Sequence, residues 1–95
     1  MASKYENLKE FLILEITSEE AKAIGFGISE GCICMHCNGI IKDKIYYIAA
    51  LNDVMCLDCL EKWLDWVEHY DEDTPIEKRN YNFYKTLLEK FGYYV

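Results

Sequence analysis

Cys34-Met35-His36-Cys37 and Cys56-Leu57-Asp58-Cys59 form two Cys-x2-Cys pairs, separated by 18 residues in a chain of 95. Each pair can present two thiolates from one tight turn, and four thiolates at about 2.3 Å complete a tetrahedron around a single zinc ion. The spacing therefore predicts one structural Zn2+ held by Cys34, Cys37, Cys56 and Cys59. With no coordination position left for water, such a site organises a fold and does not catalyse. A metal also suits the length, because a chain this short buries only about 60–65% of its unfolded surface and gains little stability from packing alone.

The other reading of the pairs, as redox dithiols, needs a pair at the start of a helix within alternating parallel strands and helices. That alternation is absent. Cys32 is read as a small buried residue or spare thiol that could stand in as a ligand. His36, inside the first pair, is expected to point away from the metal. His69 is read as an exposed residue near a helix end. No Ser-His-Asp set, phosphate loop or paired carboxylate arrangement can be assembled, so no enzymatic activity is expected.

Around the cysteines the pattern alternates between helix and strand. Three capping-box signatures, Ser3…Glu6, Thr17…Glu20 and Thr74…Glu77, mark candidate helix starts. The first predicts a helix over residues 4–13, although Phe11-Leu12-Ile13-Leu14 also fits a buried strand. The second predicts a short helix ending at Gly25. The third, with Pro75 at the first helical position, predicts a helix whose inner face carries Ile76, Tyr84, Leu87, Leu88 and Phe91 and which ends at Gly92. Ile40 to Lys42 and Ile45 to Ala50, parted by Asp43-Lys44, read as a hairpin. Asn38-Gly39 suits the turn of a zinc knuckle, with glycine permitting positive φ. From Cys56 onward, Leu60, Trp63, Leu64 and Val67 form an apolar helical stripe with Trp63 in the core.

Knuckle, hairpin and a helix whose first turn supplies the last two ligands make a treble-clef zinc finger. The expected fold is α+β: a mainly helical single domain over 1–95, with N-terminal helices in 1–31, the treble clef in 32–70 and a C-terminal helix in 71–95. Cys34-x2-Cys37-x18-Cys56-x2-Cys59 resembles the spacing of GATA-type fingers, but the basic residues with which those fingers grip DNA are missing. Cys37-Asn38-Gly39-Ile40-Ile41 and Cys56-Leu57-Asp58-Cys59-Leu60-Glu61 also resemble the zinc segment of the DksA/TraR family of bacterial RNA-polymerase regulators. The departures are one extra residue between the pairs and a helix break at Thr17-Ser18, upstream of which that family's long coiled coil cannot be built. The likeness covers about a third of the chain and implies the zinc topology.

Charge limits the partners. Acids outnumber bases 17 to 10, and the formal charge of −7 argues against direct nucleic-acid binding. Residues 58–73 hold seven acids against Lys62 alone, and Asp58, Glu61, Asp65 and Glu68 recur at helical spacing. Glu68 and Asp71 to Asp73 are expected at a helix carboxyl end, where negative charge opposes the macrodipole. With Trp66 and Tyr70 beside them, Asp58, Glu61, Asp65 and Glu68 are the expected surface for a basic protein partner. The leading expectation is a small zinc-binding protein-interaction module. The alternative is a bacterial or phage regulator of RNA polymerase or another nucleic-acid enzyme, a source in keeping with the excess of lysine over arginine. The longest apolar run, Ile45 to Leu51, is far below the roughly 20 residues that cross a bilayer. Residues 1–6 do not lead into a signal-like apolar core, so a cytoplasmic location is expected.

Overall fold

The computed structural model describes residues 3–5, 11–28, 31–42 and 44–93. In chain order the elements are β1 (Ser3–Tyr5), β2 (Ile13–Ile16), α1 (Ser18–Ala23), β3 (Gly27–Ile28), β4 (Gly31–Ile33), β5 (Ile40–Ile41), β6 (Ile45–Ile48), β7 (Asp53–Met55), α2 (Leu57–Trp66), a 3-10 turn (Asp71–Asp73) and α3 (Thr74–Lys90). One antiparallel sheet has the order β1-β2-β6-β7 and a second the order β3-β4-β5. The result is an α+β fold of three helices and two sheets among the described residues, with a smaller helical share than expected. None of these helices is long and apolar enough to cross a membrane.

β6 organises the first sheet. Its four residues, Ile45-Tyr46-Tyr47-Ile48, are all buried, so both faces of the strand need cover, and β2 and β7 flank it on either edge. β2 is buried on both faces too, with Ile13, Leu14 and Ile16 inaccessible. Leu14 and Ile16 lie just beyond the expected helix, and burial on both faces, at about 1.5–3 kcal/mol for each fully buried Ile or Leu, favours a strand at 13–16. Within the expected helix, residues 4 and 5 lie in β1 and Ile13 opens β2, Ser3 also lies in a strand, and residues 6–10 fall outside the described residues. The alternative reading of a buried strand at Phe11 to Leu14 is close to β2.

The expected hairpin across Asp43-Lys44 does not form. β5 pairs with β4 (Cys32 opposite Ile41, Ile33 opposite Ile40), while β6 belongs to the other sheet. Ile40 is exposed and Ile41 buried, the alternation of a strand with one face to solvent, unlike the wholly buried β6. The hairpins that do form include β3–β4, β4–β5, closed by Cys34 to Gly39, and β6–β7, closed by Ala49 to Asn52.

The helix termini divide cleanly. Thr17 Oγ1 accepts from the Glu20 amide at 3.2 Å and Glu20 Oε1 accepts from the Thr17 amide at 2.9 Å, completing the capping box of α1. At its other end Gly25 takes φ +92°, and the Phe26 amide reaches Ala21 O at 2.8 Å. α3 ends the same way, with Gly92 at φ +89° and the Tyr93 amide on Leu88 O at 2.9 Å. The Thr74…Glu77 capping box, in contrast, is absent: α3 starts after Asp73 without a side-chain cap. Glu77 is buried, and its carboxylate accepts from the Leu12 amide at 3.0 Å and lies 2.9 Å from His69 Nε2. Asn80 Nδ2 donates to Ala49 O at 3.0 Å, a second tie between α3 and the sheet. The inner face of α3 accordingly carries Glu77, Tyr81, Tyr84 and Leu88, whereas Ile76 and Phe91, expected to be inside, are exposed. His69, expected to be exposed, is half-buried, and its ring packs edge-on against Phe11 at 4.9 Å.

Candidate metal centre

Cys34 follows β4 directly, and the chain then turns back on itself within six residues. The Cys34 amide donates to Gly39 O and the Asn38 amide to Cys34 O, both at 2.9 Å. Asn38, not Gly39, adopts the left-handed conformation, at φ +61°. Asparagine tolerates that region. At Gly39 a Cβ would make an ordinary contact, 3.4 Å from Cys37 Sγ, so neither φ nor space there requires glycine. The Met35 amide donates to Val54 O at 3.1 Å, fastening the turn along β7. β7 runs straight into the second pair: Cys56 is the N-cap of α2 and Cys59 lies in its first turn.

These elements bring the four sulfurs of Cys34, Cys37, Cys56 and Cys59 within 4.8 Å of one another, close enough to hold a metal ion. Cys37 Sγ and Cys56 Sγ are 4.0 Å apart. A tetrahedron with metal–sulfur bonds of about 2.3 Å has edges of about 3.8 Å. A disulfide needs about 2.05 Å, and all five cysteines are free thiols. Burial pushes the Cys34 thiol up, but the amides of Cys37, Cys56 and His36 and the Cys37 side chain outweigh it and hold Cys34 at about 7. Cys59 is pushed up to about 12 by burial and by the neighbouring sulfurs of Cys56, Cys34 and Cys37. Thiols this close release their protons one after another, and a bound cation is what favours all four as thiolates.

Two candidates stay outside the cluster. Cys32 is fully buried in β4, where its thiol donates to Phe26 O at 3.3 Å; burial, with the charge of Cys34, raises its pKa. His36 is not among the four clustered ligands, and its Nε2 lies 3.8 Å from Asp53 Oδ2.

The residues expected to form a partner surface separate into two groups. Asp58, Glu61 and Asp65 are exposed on α2, roughly opposite the buried Leu60 and Trp63, and Trp66 is 71% exposed. Glu68 lies beyond the end of α2, which Val67 caps, so it does not extend that face; Tyr70, also exposed, donates to Glu68 Oε2 at 3.4 Å. Asp71 to Asp73 do not sit at the end of α2. They form the 3-10 turn that leads into α3. There negative charge meets the positive end of the helix dipole and is favourable.

Glu77 and His69 are the pair that the sequence reading missed. Glu77 precedes Tyr84 by seven positions and Leu88 by eleven, which places it on the buried stripe of α3. That spacing is the signal of a structural carboxylate. No protein-family model, curated protein or solved structure matches the chain, so the metal centre stands on its own geometry.

Proposed function

We propose that the chain is a small zinc-binding protein-interaction module. One Zn2+ held by Cys34, Cys37, Cys56 and Cys59 fixes the 34–39 turn, the β6–β7 hairpin and α2 in a treble-clef arrangement. The exposed side of α2, with Asp58, Glu61, Asp65 and Trp66, engages a basic surface on a protein partner. The observation that carries the reading is the convergence of four sulfurs within 4.8 Å. An all-sulfur tetrahedral set suits zinc, and because every coordination position is filled by protein the ion's role is structural. Among the described residues, no feature favours the polymerase-regulator reading over this one.

Structural zinc binding is worth roughly 10–16 kcal/mol, more than the net stability of a typical domain. Native mass spectrometry is expected to show one zinc per chain, and Cys59→Ala is expected to lose the metal and most of the folded structure. A metal-free native chain, or a Cys59→Ala variant that keeps its unfolding midpoint, would refute the metal reading. For the surface, Trp66→Ala is expected to release protein partners that the wild type retains while leaving zinc in place.

A further inference from the structure

The two most exposed large apolar side chains among the described residues are Trp66, at 71%, and Phe83, at 60%. They lie on helices of opposite surface charge. Trp66 ends α2, whose outer side carries Asp58, Glu61 and Asp65 against one base, Lys62, one turn before the indole. Phe83 lies midway along α3, where Arg79, Phe83, Thr86 and Lys90 recur at i, i+4, i+7 and i+11 and so share one face. That face is directed away from the buried Glu77 and Leu88 and carries a depression of about 380 Å³ lined by Arg79, Phe83, Thr86 and Lys90, among others. Among the described residues, neither Arg79 nor Lys90 forms an ion pair, and neither does Glu61 or Asp65. The chain thus carries a protruding indole on a helix whose exposed charges, three acids against Lys62, are net negative and, elsewhere, a shallow apolar depression between unpaired bases.

We infer that the partner of the α2 surface is a second copy of this chain, docked through the outer face of its α3. Trp66 of one copy fills the depression beside Phe83 of the other, between the Arg79 and Lys90 side chains, where aromatic packing and cation–π attraction both act. Glu61 and Asp65 pair with the same bases. The contact joins unlike surfaces, so two copies close it by exchanging both contacts, or further copies extend it. The inference rests on the reading of α2 as a contact surface and names its occupant.

Charge reversal tests it. Sedimentation velocity of the metal-loaded full chain is expected to show an average mass that rises with concentration. The double variant E61K/D65K makes α2 basic and R79E/K90E makes α3 acidic; each alone is expected to be monomeric. Mixed together they are expected to associate again, because each acidic face then meets a basic one. E61K/D65K also lowers the net negative charge, so loss of association there separates local pairing from general repulsion. A wild type that stays monomeric at every concentration, variants that associate like the wild type, or a mixture that stays monomeric would each overturn the inference. So would binding of a DNA duplex by wild type and not by R79E/K90E, since α3 would then serve nucleic acid. Native spectra of the same samples keep the two readings apart. A zinc-loaded monomer defeats only the self-association, and an assembly without metal defeats only the zinc.

Discussion

The carboxylate of Glu77 joins segments 65 and 8 residues away in sequence, accepting from the Leu12 amide and contacting His69. Removing a buried acceptor leaves its donors unsatisfied at about 1–3 kcal/mol each. Glu77→Ala is therefore predicted to lower stability by about 3 kcal/mol in urea unfolding, and a loss below about 0.5 kcal/mol would contradict the role given to this side chain. Tyr47 offers a test by pH. Burial, then the nearby Tyr84 and Asp53, raises its pKa above the ordinary value near 10. The folded state therefore keeps the phenolic proton longer than the unfolded chain, so the stabilising contribution is complete below about pH 10 and is lost as pH rises beyond it. Tyr47→Phe, which forfeits the 2.8 Å hydrogen bond to Asn52 Oδ1, is predicted to cost about 1 kcal/mol at neutral pH and to remove up to about 1.4 kcal/mol per pH unit of the alkaline loss. Equal alkaline slopes for variant and wild type would contradict the assignment. At this scale the cysteines were legible, because spacing within each pair dictates a shared turn. The roles of Glu77 and Tyr47 were not, because their environments are assembled by distant strands.

At the scale of elements, helix ends were more legible than strand pairing. Thr17…Glu20 and the glycines at 25 and 92 act within a few residues, so local chemistry decides them. The two sheets depend on which strands pair with β6, and neighbouring residues do not encode that choice. Sequence proximity alone made residues 40–42 and 45–50 look like one hairpin. The acidic run was misread for a related reason: where α2 stops decides which helix dipole Asp71 to Asp73 meet. That point has a test of sign. If these acids support the start of α3, the triple variant D71N/E72Q/D73N is predicted to lose up to about 1 kcal/mol at low ionic strength, with the loss shrinking in salt. A gain in stability would mean that the acids oppose a helix dipole after all.

Across the whole molecule, the cysteine cluster joins the two sheets and α2. Cys34 and Cys37 follow β4 in the smaller sheet, and Cys56 and Cys59 follow β7 in the larger. A metal there would hold together parts that a small core secures weakly. It would also explain why α2 begins where it does, since its N-cap is a cysteine that makes no side-chain capping bond. The α+β class and the four-sulfur centre could be read in advance, because both depend on patterns within short windows. The division into two sheets and the seating of α3 could not, because they depend on contacts between distant segments. X-ray absorption at the zinc edge of the purified chain tests the central claim most directly. Four sulfur scatterers at about 2.3 Å are predicted. A shell containing nitrogen or oxygen, or a chain without zinc, would contradict it.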